Sequence, residues 1–401
     1  MEAISSVHSL DLEKQRRIRL LKKQVLLCPG PVMVSEHVKT ALLHPDIGHR
    51  EPEFSILLER VRAKLSLIFG VVHPDEYATV IINGSGSAAN ESVISSLGAD
   101  KKILVLSNGE FGERLAELAE CHELEFIHLA LPWGTPIKVE DVERAIEEHH
   151  PDVVAMVHHE TSTGMLNPIQ LIGELTHRTG TWLYVDAVSS LAAEWVDVER
   201  NHIDLCTSSS NKALSSVTGL SFVCGRKEVF EQLKDVRCRT KYLNLYRHYQ
   251  LETELAQTPN TPSLTVLFAL DAALDEILER GLTNQIHRTR SFASLLREGM
   301  RSMGLSFAIP EQHMSNVLTT VLVPEGVDYQ TLKDRLKERG YLVYGGKGPL
   351  SNRAFQVANI GMIKEHHLHD FLRDLQWILT LVTAPDQPAP KPVDALASAL
   401  H

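Results

Sequence analysis

The chain has 401 residues, 43% hydrophobic and 23% charged, with a formal net charge of -11, which is long enough for one large domain and a smaller one. The acidic balance argues against a nucleic-acid-binding surface, because phosphate contacts need clustered Lys and Arg. Apolar runs such as Val153–Val157 are strand-length and far short of a membrane span, so no bilayer crossing is expected.

In chain order, residues 1–24 lack the apolar core of a secretory signal and carry a basic run at 14–23, read as a leading helix or arm; a cytoplasmic location follows. Apolar runs then alternate with helical stretches. Ala78–Ile82 precedes a helix over Ala88–Leu97, and Lys102–Leu106 precedes one over Gly112–Ala119. Val153–Val157 precedes Leu171–Arg178, and the strand Trp182–Val185 follows. That rhythm predicts a mostly parallel sheet with helices on both faces. A Pro-rich turn at 258–262 leads to a helix from Thr265 to Arg280, stopped by Gly281. Beyond it come a long helix from about 285, a strand at 318–323, a helix over 329–339 and a strand at 341–344, which reads as a smaller α+β domain. The expected division is an arm at 1–24, a large domain at 25–280, a small domain at 281–383 and a Pro-rich tail at 384–401. The five cysteines, Cys28, Cys121, Cys206, Cys224 and Cys238, fit neither a disulfide framework nor metal-ligand spacing and read as reduced.

The strongest chemical signal lies at 182–212. A strand ends in Asp186, and a polar turn, Ser208-Ser-Ser-Asn-Lys212, follows. Strand carboxyl ends open into the crevice where ligands of open α/β sheets sit. There Asp186 can meet a cationic ring nitrogen, and Lys212, beside groups able to hold an anion, suits a Schiff base to a phosphorylated aldehyde. Pyridoxal phosphate fits both ends. An Asp after a strand is also a common helix cap, and a Lys in a Ser-rich turn is commonly solvated, so the case rests on further pieces.

Those pieces follow other strands. Asn83-Gly-Ser-Gly-Ser87 leads into a helix, so Ser85, Gly86 and Ser87 can cradle a phosphate at its amino terminus. The spacing is not that of a dinucleotide fingerprint. Asn108-Gly-Glu-Phe111-Gly places an aromatic ring at the same edge. The run His158-His-Glu-Thr161-Ser-Thr-Gly supplies a hydroxyl, that of Thr161, for a phenolic oxygen. Its paired histidines point to opposite faces of an extended chain, which argues against a shared metal ion.

These motifs, together with Leu26–Pro31, Asn167-Pro-Ile169, Val185–Ser190, Ser210-Asn-Lys212 and Asn359-Ile-Gly361, resemble the class V aminotransferases. Within that family the chain is most similar to the 2-aminoethylphosphonate–pyruvate transaminases, with alanine–glyoxylate and serine–pyruvate aminotransferases as relations. The resemblance covers roughly 25–380. It implies fold type I, a mostly parallel seven-stranded sheet plus a smaller C-terminal α+β domain, pyridoxal 5′-phosphate, and a homodimer with shared active sites. It implies that Lys212 carries the cofactor and shuttles a proton, that Asp186 holds the ring nitrogen protonated and that Phe111 stacks. Ser85 to Ser87, Ser209 and Asn211 would hold phosphate, Thr161 would touch the phenolic oxygen, and the turn from Thr258 to Thr261 would reach the neighbouring subunit's phosphate. Gly30 would border the substrate.

One departure stands out. Where relatives carry an anion-gripping arginine before the Asn-Ile-Gly motif, this chain has Gln356, and a neutral amide cannot replace a bidentate guanidinium. Another cation can take its place, with Arg50 beside His49, Lys347 and Arg353 as candidates; the donor can lack an anion there; or a three-residue shift can make Arg353 the anchor. The expected activity is transfer of an amino group from a small amine or amino acid, with 2-aminoethylphosphonate as candidate donor, to a 2-oxo acid such as pyruvate. The alternatives are an alanine- or serine-dependent enzyme acting on glyoxylate or pyruvate, a lyase on the same scaffold, and a non-catalytic binding protein.

Overall fold

The computed structural model describes residues 24–98 and 100–383. The basic run at 14–23 and the Pro-rich tail lie outside the described residues.

The first elements are a two-residue strand β1 (Val25–Leu26), a short helix α1 (Glu36–Ala41) and a longer one, α2 (Pro52–Ile68), with proline in its first turn. Strand–helix alternation then sets in: β2 (Tyr77–Asn83), α3 (Gly86–Ser96), β3 (Ile103–Ser107), α4 (Glu110–Cys121), β4 (Phe126–Ala130), α5 (Val139–His149) and β5 (Val153–Val157). A small hairpin, β6 (His159–Glu160) and β7 (Met165–Leu166), precedes α6 (Ile169–Thr179) and β8 (Trp182–Asp186). Next come β9 (Leu205–Ser209), β10 (Leu220–Arg226), α7 (Lys227–Gln232), α8 (Leu245–Glu254) and α9 (Leu264–Arg280).

Seven of these strands form one sheet in the order β2-β10-β9-β8-β5-β3-β4. β10 runs antiparallel to both its neighbours, and the other ladders are parallel. The expected mostly parallel seven-stranded sheet is what the chain forms. Alternate side chains of β5 enter two cores: Val154 and Met156 join α2, α5, α6 and α9, while Val153, Ala155 and Val157 join α3, α4, α7 and α8. Burial on both faces explains why this strand is apolar throughout.

The C-terminal unit holds α10 (Leu282–Ser302), β11 (Leu318–Leu322), α11 (Tyr329–Glu338), β12 (Tyr341–Leu342), β13 (Tyr344–Gly345), β14 (Ala354–Ala358) and α12 (Glu365–Thr383). Its sheet has the order β11-β14-β13. The single strand expected at 341–344 is in fact two: β12 pairs with β1, β13 pairs with β14, and Val343 between them is buried in the small core. Leu27 belongs to that core too, so the chain passes from the small unit into the large one between Leu27 and α1. Six strands of the large sheet, all but β10, run the same way and end on one edge, and that edge faces the small unit.

Candidate active site

At this edge a pocket of about 630 Å3, including its open mouth, is lined by Ser85, Gly86, Ser87, Asn90, Phe111, Val157, His159, Thr161, Asp186, Val188, Ser189, Ser209, Asn211 and Lys212. Every residue expected to hold the cofactor within one subunit is therefore on one cavity wall. Parallel register is the reason: Val157 lies across from Asp186, and Asp186 from Thr207.

Asp186 is buried at the end of β8. Period two along the strand turns it to the same side as Tyr184, towards α3. Burial raises its pKa, while the Val188 N–H at 2.8 Å, the Asn90 amide at 2.6 Å and the charge of Lys212 oppose that rise. Asn90 is itself oriented by Tyr184 and Thr207, whose hydroxyls donate to its carbonyl oxygen. Its NH2 group is left to face the carboxylate. Sequence reasoning missed Asn90; the signal was a polar residue one helical turn inside α3, where it has low intrinsic preference.

Lys212 lies beyond β9, and its Nζ donates to the Pro29 carbonyl at 2.8 Å. Burial lowers its pKa below the ordinary lysine value; Cys28 and Asp186 work against that, and Lys347 adds to it. Gly30 borders the same amine. Its φ is +134°, and a Cβ there would stand 2.6 Å from Nζ, so only glycine lets the backbone pass so close.

Ser85 precedes α3 and makes no side-chain cap, which leaves its exposed hydroxyl and that of Ser87 facing outwards at the helix amino terminus. Ser209 donates to Asn211. Phe111 sits in the first turn of α4 with Arg114 at 4.8 Å and Lys347 at 5.1 Å from its ring centroid. What fixes that turn is Glu160, fully buried, which accepts from the N–H groups of Phe111 and Gly112 and from Ser162. Burial raises the Glu160 pKa and these donors lower it. The Glu of the His-His-Glu-Thr run is thus an amino-terminal cap for another helix.

The two histidines part company as their spacing implies. His158 Nδ1 meets Ser190 and His159 Nδ1 meets Ser189, each at 3.0 Å. The Ser189 hydroxyl also donates to the His159 carbonyl, so Nδ1 must be the donor to that serine and Nε2 carries a lone pair. This Nε2 is buried, without a partner, on a side chain that lines the pocket. Burial pushes both imidazoles down to about 3, so both are neutral. No cluster suited to a metal ion occurs among the described residues.

From the small unit, Gln356 lies in β14 between Thr320 and Tyr344. It is buried, and its amide donates to the carbonyls of Thr161 at 2.7 Å and Ser162 at 3.2 Å. Arg353 precedes the strand and is exposed. Lys347 reaches across to Glu110 at 2.9 Å. Arg50, next to the half-buried His49, donates to Gln257 and to the Thr258 carbonyl. The carbonyl of Thr261 accepts from Asn83. Arg50 and Thr258 are thus in contact and Thr261 meets Asn83, while none of these, nor His49, lines the pocket.

A family model described as aminotransferase class-V matches residues 35–359. An uncharacterized aminotransferase of Methanocaldococcus jannaschii is 34% identical over 347 residues, covering 86% of this chain and 89% of its own. A 2-aminoethylphosphonate–pyruvate transaminase of Phocaeicola vulgatus is 32% identical over 368 residues, 90% of this chain and 99% of its own. Among solved structures, an alanine–glyoxylate aminotransferase from a Nostoc species superposes with a TM-score of 0.83 at 30% identity, covering 90% of this chain and 96% of that one.

Proposed function

We propose, from the premise that this chain belongs to the class V aminotransferase family, that it moves an amino group from a small amine or amino acid to a 2-oxo acid such as pyruvate. The donor set of the pocket fits pyridoxal 5′-phosphate. Ser85, Gly86, Ser87, Ser209 and Asn211 offer hydroxyls, an amide and a helix amino terminus to a phosphate; Thr161 offers a hydroxyl; Phe111 and Val188 offer apolar surface to a ring; Asp186 offers a carboxylate to its nitrogen. When bound, that group supplies an electron sink for charge developing at the substrate carbon.

The chain's own groups do the rest. Lys212, with its pKa lowered by burial, presents more neutral amine near pH 7 than a free lysine of pKa about 10.4, and takes and returns the proton at the substrate carbon. Asp186, braced by Asn90 and Val188, holds a proton on the ring nitrogen. Gln356 fixes the backbone at Thr161 and Ser162 and so keeps the Thr161 hydroxyl in place.

The observation that carries this reading is that Lys212 and Asp186 line the same cavity. The name of the Phocaeicola vulgatus relative supports 2-aminoethylphosphonate as donor; that of the Nostoc enzyme supports a second reading with alanine and glyoxylate. Purified holoenzyme mixed with one amine at a time should change its visible spectrum with the true donor and regain it on adding a 2-oxo acid. A protein that binds the cofactor but keeps one spectrum with every amine would sink the proposal.

The reading includes a homodimer with shared sites. The reading draws support from large apolar side chains exposed close in sequence to Arg50 and Thr258, namely Leu43, Ile56 and Leu255. Native mass measurement tests it. The same reading takes the enzyme as cytoplasmic, in keeping with five unpaired cysteines, three of them buried.

A further inference from the structure

Gln356 occupies the position where an anion-binding arginine is expected, and its amide is committed to two backbone carbonyls. An anionic substrate therefore needs another anchor. We infer that Lys347, with Arg114 beside it, receives the carboxylate or phosphonate at the far end of the amino donor, and that Glu110 occupies the place of that anion in the free site. The inference rests on the aminotransferase reading above.

Position comes first. Lys347 Nζ stands 5.1 Å from the centroid of Phe111, a pocket wall, and Lys347 is close enough to depress the pKa of Lys212. Of the other candidate cations, Arg50 is bound to Gln257 and the Thr258 carbonyl, and Arg353, exposed as Lys347 is, has no ring contact or ion pair among the described residues that ties it to the pocket.

Charge comes second. Lys347 meets Glu110 at 2.9 and 3.1 Å, and Arg114 bonds the same carboxylate. Two cations thus share the Glu110 carboxylate, while the Glu113 carboxylate, the other anion of this corner, is engaged by Trp133. An incoming anion can take Lys347 while Glu110 keeps Arg114. The pair being displaced is half exposed, with side-chain accessibilities of 44% and 24%, and such pairs contribute little.

The loop that presents Lys347 is also fixed in place. Gly348 has φ +47°, and a Cβ there would lie 2.7 Å from the ring of Trp133, which comes from the large unit. Trp133 is itself held by Glu113 through Nε1 at 2.7 Å. The lysine is thus aimed across the cleft by a contact between the units.

The test uses holoenzyme of the parent, Lys347→Met, Lys347→Arg, Glu110→Gln and Gly348→Ala. Unreactive propionate and ethylphosphonate are titrated by calorimetry, and half-reactions are run with 2-aminoethylphosphonate, L-alanine and propylamine, which carries no acid group. Lys347→Met should weaken the better-bound probe roughly ten- to a hundredfold, the size expected for losing a hydrogen bond to a charged group. It should lower the preference for acid-bearing amines over propylamine by the same factor, mainly through KM. Lys347→Arg should retain most of the binding, Glu110→Gln should tighten it, and Gly348→Ala should weaken it. Which probe responds more distinguishes phosphonate from carboxylate. Unchanged binding of both probes to Lys347→Met would overturn the inference, as would equal loss of reactivity with acid-bearing donors and with propylamine. If Lys347 governs probe binding but no amine reacts, the anion site stands and the aminotransferase reading falls.

Discussion

The carboxyl edge of the large sheet lines the pocket, and the small unit touches that edge through β14 and the loop before it, but the two commit their polar side chains differently. On the large sheet the supporting bonds lie behind the lining. Asn90 braces Asp186, Glu160 holds the turn that carries Phe111, and Ser189 orients His159, while the His159 Nε2 lone pair has no protein partner. In the small unit the bonds run across to the large one: Gln356 of β14 braces the Thr161 and Ser162 carbonyls, and Lys347, in the loop before β14, is paired with Glu110. One wall is preorganised for a resident group; on the other, Lys347 must exchange a protein contact for a substrate contact.

The largest break in this comparison should come from Lys212→Ala, which removes the proton carrier of the preorganised wall. The single-turnover rate with a reactive amine should fall about a hundred- to ten-thousandfold; a rate within a few-fold of the parent would remove Lys212 from the chemistry. Next in size is Gln356→Leu, which leaves the Thr161 and Ser162 carbonyls without their donor at a cost of about 1–3 kcal/mol, read from chemical denaturation. Gln356→Arg keeps donors there and should raise the preference for anionic amines. Unaltered stability in Gln356→Leu, with anionic substrates alone lost, would make Gln356 a substrate contact and not a strut.

A separate effect is on pH dependence, read as a slope. His158 and His159 stay neutral in the folded protein down to about pH 3, against 6.5 for a free imidazole. Between those values the unfolded chain binds more protons, so this contribution to stability is complete above pH 6.5 and is lost as pH falls towards 3. Each histidine gives a slope of at most ~1.4 kcal/mol per pH unit. Melting temperature followed from pH 7 to 4 should decline less steeply in His159→Gln; an equally steep decline would assign the proton uptake to other groups.

Much of the site was legible because its signals are local. The strands ending at Val157 and Asp186 are short apolar runs, and the motifs after them carry the groups that line the pocket. Asn90, Glu160 and Ser189 were not legible, since each matters only through a partner brought near by the sheet. Three strands of the large sheet, β4, β9 and β10, escaped the reading as well. β4 is a half-exposed edge with mixed polarity, β9 ends in Thr-Ser-Ser, whose serines read as part of the turn before Lys212, and β10 has serine, cysteine and glycine within it, so none shows a clean period. The split of 341–344 into β12 and β13 depends on β1 and β14, far away in sequence.

The sequence by itself determined the family, the alternation that builds the parallel sheet, and which lysine and which aspartate meet, because strand carboxyl ends in such a sheet open on one edge whatever the loops do. Tertiary structure alone decided what holds those groups and which cation is left to greet an anion. A hydrogen bond from Gln356 to Thr161, or from Lys347 to Glu110, joins residues separated by much of the chain, and no local pattern encodes the register that brings such pairs within 3 Å or so of each other.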